Sequence, residues 1–440
     1  MNQPPAFLQH PTLAQAVLSA QSDKRGLFLA VEGKLSGKEI PIVVKDTLCT
    51  LTLPTTCASR ILEGYVSPFE ATVVSRLREA GCQVVAKANC DEFAMGSSTE
   101  TGAWGPAQNP WDTHRVCGGS SGGSAGAVAA GIVPIALGSD TGGSVRQPAS
   151  FCGVVGFRPT WGRVSRYGLV AMTSSMDTVG VLANTVETTR WTFDQMCGID
   201  KKDATSLAVE EAPPPTPEAP RVVWIPSGEE WKKGVSSEVL DAFSEGVKAW
   251  EKGGVEVREV PLAFVEALAA YYVICYAEVS TNLSRFDGIR FGESKGMTPA
   301  DWRGKALGSE VKRRILMGCQ VLSSGYKEEI YQKACGLRQS LAMELGSLTE
   351  QGPLFLPTTP QTAFKRGSVV DALEMHHYDL FTTPASLAGL PAVSIPWTLS
   401  KKGLPIGLQL VGKKGGDESL LNGALCLEEL SPWETGRVAP

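Results

Sequence analysis

From Ile40 the chain alternates short β-branched apolar runs with stretches of helical spacing. The run Ile40–Val44 predicts a buried strand that ends abruptly on Lys45-Asp46. A loop rich in Thr, Pro and Cys follows. Ser67-Pro68-Phe69-Glu70 then predicts a helix start, with Ser67 as N-cap, Pro68 at the first helical position and Glu70 closing a capping box. Val73, Val74, Leu77 and Ala80 keep helical spacing, and Gly81 ends it. Residues 82–87, CQVVAK, predict a second strand, Ser124–Ala130 a helix of small residues, and Ile132–Leu137 a third strand. This order predicts parallel βαβ units with right-handed crossovers, in which sites collect at the carboxyl ends of strands.

The flanking regions are less sharply patterned. Residues 1–35 read as a short amphipathic lead-in, and 159–181 as a turn-rich segment wrapping the same sheet end. The stretch 210–220, EEAPPPTPEAP, reads as a surface connector within one domain spanning 1–440. Strands are expected at 221–226, 353–357 and 392–396, and helices at 236–252, 264–285 and 310–347. There is no internal repeat and no coiled coil.

Composition narrows the class. With 43% hydrophobic and 20% charged residues, the chain has the balance of a soluble globular protein with a large core. A net charge of −5 gives no electrostatic footprint for nucleic acid, so any nucleic-acid substrate would have to be held by a partner. The eleven cysteines form no C-x-x-C pair and read as reduced thiols, with Cys117 and Cys152 as packing residues. The four histidines lack zinc-site spacing, and the adjacent His376 and His377 read as structural or surface residues. No apolar run approaches the roughly 20 residues of a membrane span. The N-terminus is a poor secretory signal and a weak transit-peptide candidate.

The chemistry concentrates in two glycine–serine loops, Gly118 to Ser124 and Ser139 to Ser144. Glycines let backbone approach a ligand, and free N–H groups near a helix start favour developing negative charge. Neither loop has the strand–G-x-S-x-G–helix setting of a nucleophile elbow, which argues against Ser-His-Asp catalysis. Neither ends in the G-K-[ST] of a phosphate loop. A serine activated by lysine fits better: Lys45 closes a buried strand, and burial lowers a lysine toward a usable base. The alternative for Lys45 is a side chain snorkelling to the surface.

The contexts PIVVKD, GGSSGGSAGA and GSDTGGSVRQPAS resemble the amidase signature family, over residues 36 to 430. The resemblance implies an α/β amidase signature fold, a large mixed, mostly parallel β-sheet covered by helices on both faces. It implies a Ser–cis-Ser–Lys triad, with Ser144 as nucleophile, Ser120 as the bridging serine after a cis peptide, and Lys45 as terminal base. Thr141, Gly142 and Gly143 would form the oxyanion hole.

Further stretches are similar to one branch of that family, the glutaminase subunits of glutamyl-tRNA(Gln) amidotransferases. They are EFAMGSSTE (92–100), WGRVSRYGLVAMTSSMDTVG (161–180), SRFDGIRFG (284–292), EVKRRI (310–315) and DLFTTPASLAGLPAVSIP (379–396). This implies glutamine as substrate, contacted by Arg314, Asp379 and either Tyr271 or Tyr272. It implies no cofactor on this chain, with ATP and Mg2+ used by a partner to convert Glu-tRNA(Gln) to Gln-tRNA(Gln). The implied partners are a small third subunit together with a B-type subunit, with no membrane. The short lead before Lys45 and the compact segment 293–309 resemble the fungal mitochondrial version, which implies the mitochondrial matrix, with the cytoplasm as alternative. The competing reading is a stand-alone amidase acting on another carboxamide.

Overall fold

The computed structural model describes residues 10–208 and 219–434. The expected connector at 210–220 therefore lies, except for its last two residues, outside the described residues. The strands are β1 Phe28–Val31, β2 Ile40–Lys45, β3 Cys82–Ala88, β4 Gln108–Asn109, β5 Asp112–Val116, β6 Ile135–Asp140 and β7 Val155–Arg158. They continue with β8 Thr178–Ala183, β9 Val222–Pro226, β10 Glu256–Val260, β11 Leu354–Pro357, β12 Ala392–Leu399 and β13 Pro405–Val411.

Eleven of these form one mixed sheet in the order β1-β3-β2-β6-β8-β7-β12-β13-β11-β9-β10. Parallel pairing holds β3, β2 and β6 together on one side, and β11, β9 and β10 on the other. Antiparallel pairing adds β1 at the edge and runs from β6 through β8, β7, β12 and β13 to β11. β8 inserts antiparallel between β6 and β7, and β12 and β13 continue the antiparallel pairing to β11.

Every residue of β2 is buried, because its two faces serve different cores. Ile40, Ile42 and Val44 join the larger apolar cluster, and Val43 joins a second one beneath the helices Leu13–Ser22 and Gly122–Ala129. The described part of the lead-in thus belongs to the fold, with a capping box at Thr12 and Gln15 starting its helix and β1 extending the sheet. No helix among the described residues is long and apolar enough to cross a membrane.

Three expected boundaries move. The helix expected from Ser67 begins at Thr72, without a side-chain cap. The Ala71 and Thr72 N–H groups donate instead to Cys49 O (2.9 Å) and Tyr167 O (3.1 Å), while Glu70 takes Arg78 Nε at 3.1 Å. The third strand starts at Ile135 rather than Ile132, just after Pro134, which has no N–H for the ladder. The pattern at 310–347 divides into Ser309–Val321 and Gln332–Thr349, with Gly325 turning between them at φ 85° and a π-helical turn at Lys327–Tyr331.

Candidate active site

β2 and β6 run in parallel and deliver Lys45 and Asp140 to the same end of the sheet. There the two glycine–serine loops meet, joined by the Ser121 N–H donating to Ser144 O at 3.1 Å. Lys45 is fully buried. Its Nζ donates to Ser120 Oγ at 2.6 Å and Ser139 Oγ at 2.9 Å, and Ser139 O stands 3.5 Å away. The Gly119–Ser120 peptide is cis. Burial lowers Lys45 to about 8, against the upward pull of Cys90, Asp91, Asp140 and Asp177. Ser120 is wholly buried and Ser144 partly exposed, so the cluster opens to the outside at Ser144.

The first loop is held from three sides. Gln147 Oε1 accepts the Gly119 N–H at 2.8 Å, while its Nε2 donates to Ser97 O at 2.8 Å. Thr99 Oγ1 donates to Gly118 O at 2.7 Å and accepts the Gly122 N–H at 3.1 Å. Buried Asp91 accepts the N–H groups of Ser98, Thr99, Glu100 and Thr101, fixing the segment that carries Ser97 and Thr99. Gly119 has no free space: a Cβ there would lie 2.1 Å from Asp91 Oδ2 and 2.6 Å from Ser98 N. Gly119→Ala is therefore expected to cost about 1–3 kcal/mol of stability and to displace Ser120. A lowered Tm with loss of serine reactivity would show this; an unchanged Tm with full reactivity would contradict it.

The second loop is wrapped around Asp140. Its carboxylate accepts from the Gly143 N–H (3.0 Å), the Val145 N–H (3.2 Å), Arg146 Nε (3.1 Å) and Arg158 Nη1 (3.1 Å). Burial opposes the charge, but the two guanidinium groups outweigh it and hold the carboxyl well below its usual range. The Gly143 N–H is thus committed to Asp140, at a φ of 134° that favours glycine. Of the three expected oxyanion donors, that leaves the N–H groups of Thr141 and Gly142. Thr141 Oγ1 donates to Asp177 at 2.6 Å, and Thr382 Oγ1 to Gly142 O at 2.6 Å, so this peptide is clamped on both sides.

The residues expected to meet substrate converge on the same place from another part of the chain. Tyr271 and Tyr272 come from the helix Phe264–Asn282, Arg314 from Ser309–Val321, and Asp379 from the turn after Ala372–His377. The Tyr271 ring covers the second loop, since a Cβ on Gly142 would lie 2.4 Å from its Cζ. Tyr272 O–H donates to Asp379 Oδ2 at 2.8 Å, and Ser97 Oγ donates to the same oxygen at 2.9 Å. Burial pushes Asp379 up to about 7, despite these donors and the nearby Arg314. Buried Arg314 lies 5.6 Å from the Tyr272 ring centroid and gives its Nε to Glu310 at 2.7 Å. His376, read from sequence as structural, stacks on Tyr272 with centroids 3.4 Å apart. Burial and the neighbouring Arg314 and Arg313 lower it to about 3, which keeps it neutral.

Sequence reasoning missed Ser97, Ser139, Gln147 and the anchoring carboxylates Asp91 and Asp140. Ser97 and Ser139 stand inside the glycine–serine stretches MGSSTE and GSDTGGS, where a signal existed. Nothing about Gln147 distinguishes it from an ordinary polar helix residue.

Comparison with known proteins identifies the family. The amidase family model matches residues 12–421. The A-type subunit of glutamyl-tRNA(Gln) amidotransferase from Thermotoga maritima is 44% identical over 434 residues, covering 95% of this chain and 90% of that protein. Its counterpart from Symbiobacterium thermophilum is 47% identical over 425 residues, covering 92% and 85%. The crystal structure of the Thermotoga maritima protein superposes with a TM-score of 0.83 at 42% identity, covering 97% of this chain and 93% of that one. With a family match over nearly its whole length and a buried lysine–serine pair between two glycine–serine loops, the chain belongs to the amidase family.

Proposed function

We propose that this chain is the glutamine-hydrolysing, A-type subunit of the glutamyl-tRNA(Gln) amidotransferase complex. The observation that carries the reading is the buried Lys45–Ser120 hydrogen bond at 2.6 Å, beside a loop ending in the partly exposed Ser144. Neutral Lys45 draws a proton from Ser120, which takes the proton of Ser144 as its Oγ bonds to the carboxamide carbon of glutamine. The oxyanion faces the Thr141 and Gly142 N–H groups. When the C–N bond breaks, the relay returns the proton to the leaving nitrogen, which departs as ammonia. Water then cleaves the acyl-enzyme through the same relay, releasing glutamate. Arg314 clamps the α-carboxylate and Asp379 accepts from the α-ammonium, with Tyr272 holding Asp379 and Tyr271 lying over the Gly142 backbone of the oxyanion loop. The ammonia passes to a B-type partner, which uses ATP and Mg2+ to amidate Glu-tRNA(Gln), with a small third subunit completing the complex.

The sign of the pH dependence follows from Lys45. The relay needs it neutral, so kcat/KM for glutamine should rise with pH through about 8, where Lys45 loses its proton. Asp379, at about 7, must ionise in the same window to meet the ammonium. A profile that is flat or falls across that window would count against the relay.

The assignment to glutamine is tested by ammonia release from glutamine, asparagine and a simple aliphatic amide, with and without the co-expressed B-type partner. Glutamine-selective release that rises with the partner supports it. Partner-independent cleavage of the simple amide makes this a stand-alone amidase.

A further inference from the structure

Among the described residues, Lys45 Nζ has three oxygens within hydrogen-bond reach, and only one belongs to the Ser144–Ser120–Lys45 relay. The other two are the hydroxyl and the carbonyl of Ser139, at 2.9 and 3.5 Å. We propose that Ser139 is a positioning residue for Lys45, its hydroxyl and carbonyl receiving two N–H groups so that the remaining direction on Nζ always faces Ser120. This inference rests on the lysine relay proposed above.

Counting hydrogens on Nζ shows what Ser139 supplies. A neutral amine has two N–H groups and one lone pair, and an ammonium has three N–H groups. With two N–H groups directed at Ser139, the lone pair points at Ser120 and can receive its proton. Once that proton has arrived, the third N–H points at Ser120 Oγ and all three have acceptors. One geometry serves both protonation states, and the side chain need not rotate during turnover.

Without the Ser139 hydroxyl, only the carbonyl at 3.5 Å remains on that side, at the limit of hydrogen bonding. The ammonium then loses an acceptor inside a fully buried site, and the neutral amine is free to turn an N–H toward Ser120.

The other groups facing Lys45 act at a distance. Cys90 and Asp91 lie in the segment after β3, Asp140 at the end of β6, and Asp177 just before β8. Among the described residues none of them hydrogen-bonds to Nζ. On β3, the second buried lysine, Lys87, turns away to Leu48 O (2.6 Å) and Thr55 Oγ1 (2.8 Å), with Asp46 Oδ1 at 3.4 Å. Replacing Ser139 changes none of these charges.

The test is the rate at which a fluorophosphonate probe labels Ser144 in the full-length chain, measured from roughly pH 6 to 10. Wild type, Ser139→Ala and Ser139→Thr are compared, with Ser144→Ala as the blank. Loss of one hydrogen bond to a charged group should move the midpoint of the rising limb of Ser139→Ala to lower pH by about one unit. Its plateau should fall about tenfold as the base weakens. Ser139→Thr, which keeps the hydroxyl, should restore both. A lower plateau with an unmoved midpoint would mean a merely structural residue and overturn the inference, as would a threonine variant that behaves like alanine. A wild-type profile with no rising limb would instead remove the Lys45 relay itself, and this inference with it.

Discussion

Ser144→Ala is expected to reduce glutamine hydrolysis by about 10³–10⁶-fold, the range over which removal of a nucleophile acts when its relay partners have nothing left to activate. The fold should survive the change. Ser144 is partly exposed, and its structural contact is through the backbone carbonyl, which accepts the Ser121 N–H whatever side chain is present. An unaltered thermal transition with lost ammonia release is the expected pair of results. Retention of even a tenth of the activity would sink the acyl-enzyme mechanism.

Arg314→Ala should be the next most damaging change, and it should act selectively. Removing a buried guanidinium strands the glutamine carboxylate, so kcat/KM for glutamine should fall about 10²–10³-fold, equivalent to about 3–4 kcal/mol. A simple aliphatic amide has no carboxylate to lose, and its turnover should change far less. Arg314→Lys separates charge from shape, since lysine keeps the charge but loses the fork that grips a carboxylate at two points. It should recover part of the loss. Because Arg314 also engages Glu310 and covers Tyr272, the ratio of glutamine to simple-amide turnover is the decisive quantity. If that ratio were unchanged in Arg314→Ala, glutamine would be the wrong substrate.

How much of this could be read from the chain varied with the kind of signal. β2 was plain because Ile40 to Val44 is apolar on both faces, as a central strand must be. The pairing of Lys45 with the serine loops was legible from its place at the end of such a strand. Arg314 was not: EVKRRI has the periodicity of a solvated helix face, and only the resemblance marked its arginine. The structure shows why, since the helix Ser309–Val321 keeps Arg313 partly exposed while Arg314 turns inward to Glu310 and Tyr272. The misplaced start at Ser67 has a similar cause. Its capping pattern is real locally, as Ser67 Oγ accepts the Phe69 N–H at 3.3 Å, but distant carbonyls of Cys49 and Tyr167 take the N–H groups that would have begun the helix. Strand direction in the centre of the sheet, and the insertion of β8 beside β6, leave no mark in hydrophobic periodicity at all.

Lys45, Ser120 and Ser144 lie in the first third of the chain, on β2 and the loops around β6, whereas the tyrosines, Arg314 and Asp379 come from segments after residue 260. The ligand-facing residues meet the reactive loops where Tyr271 lies against Gly142 and where Ser97 donates to Asp379, while Thr382, Ser386 and Gln409 brace the second loop from the later stretch. On the function proposed above, the reacting groups and most of the groups that choose the ligand are thus encoded in separate stretches of the gene, with Ser97 reaching across from the first. On those roles, substitutions at Tyr271, Tyr272 or Arg314 can retune which amide is accepted without altering Lys45, Ser120 or Ser144, so one inherited chemistry can be re-addressed to new substrates as long as the braces at Thr382, Ser386 and Gln409 are kept.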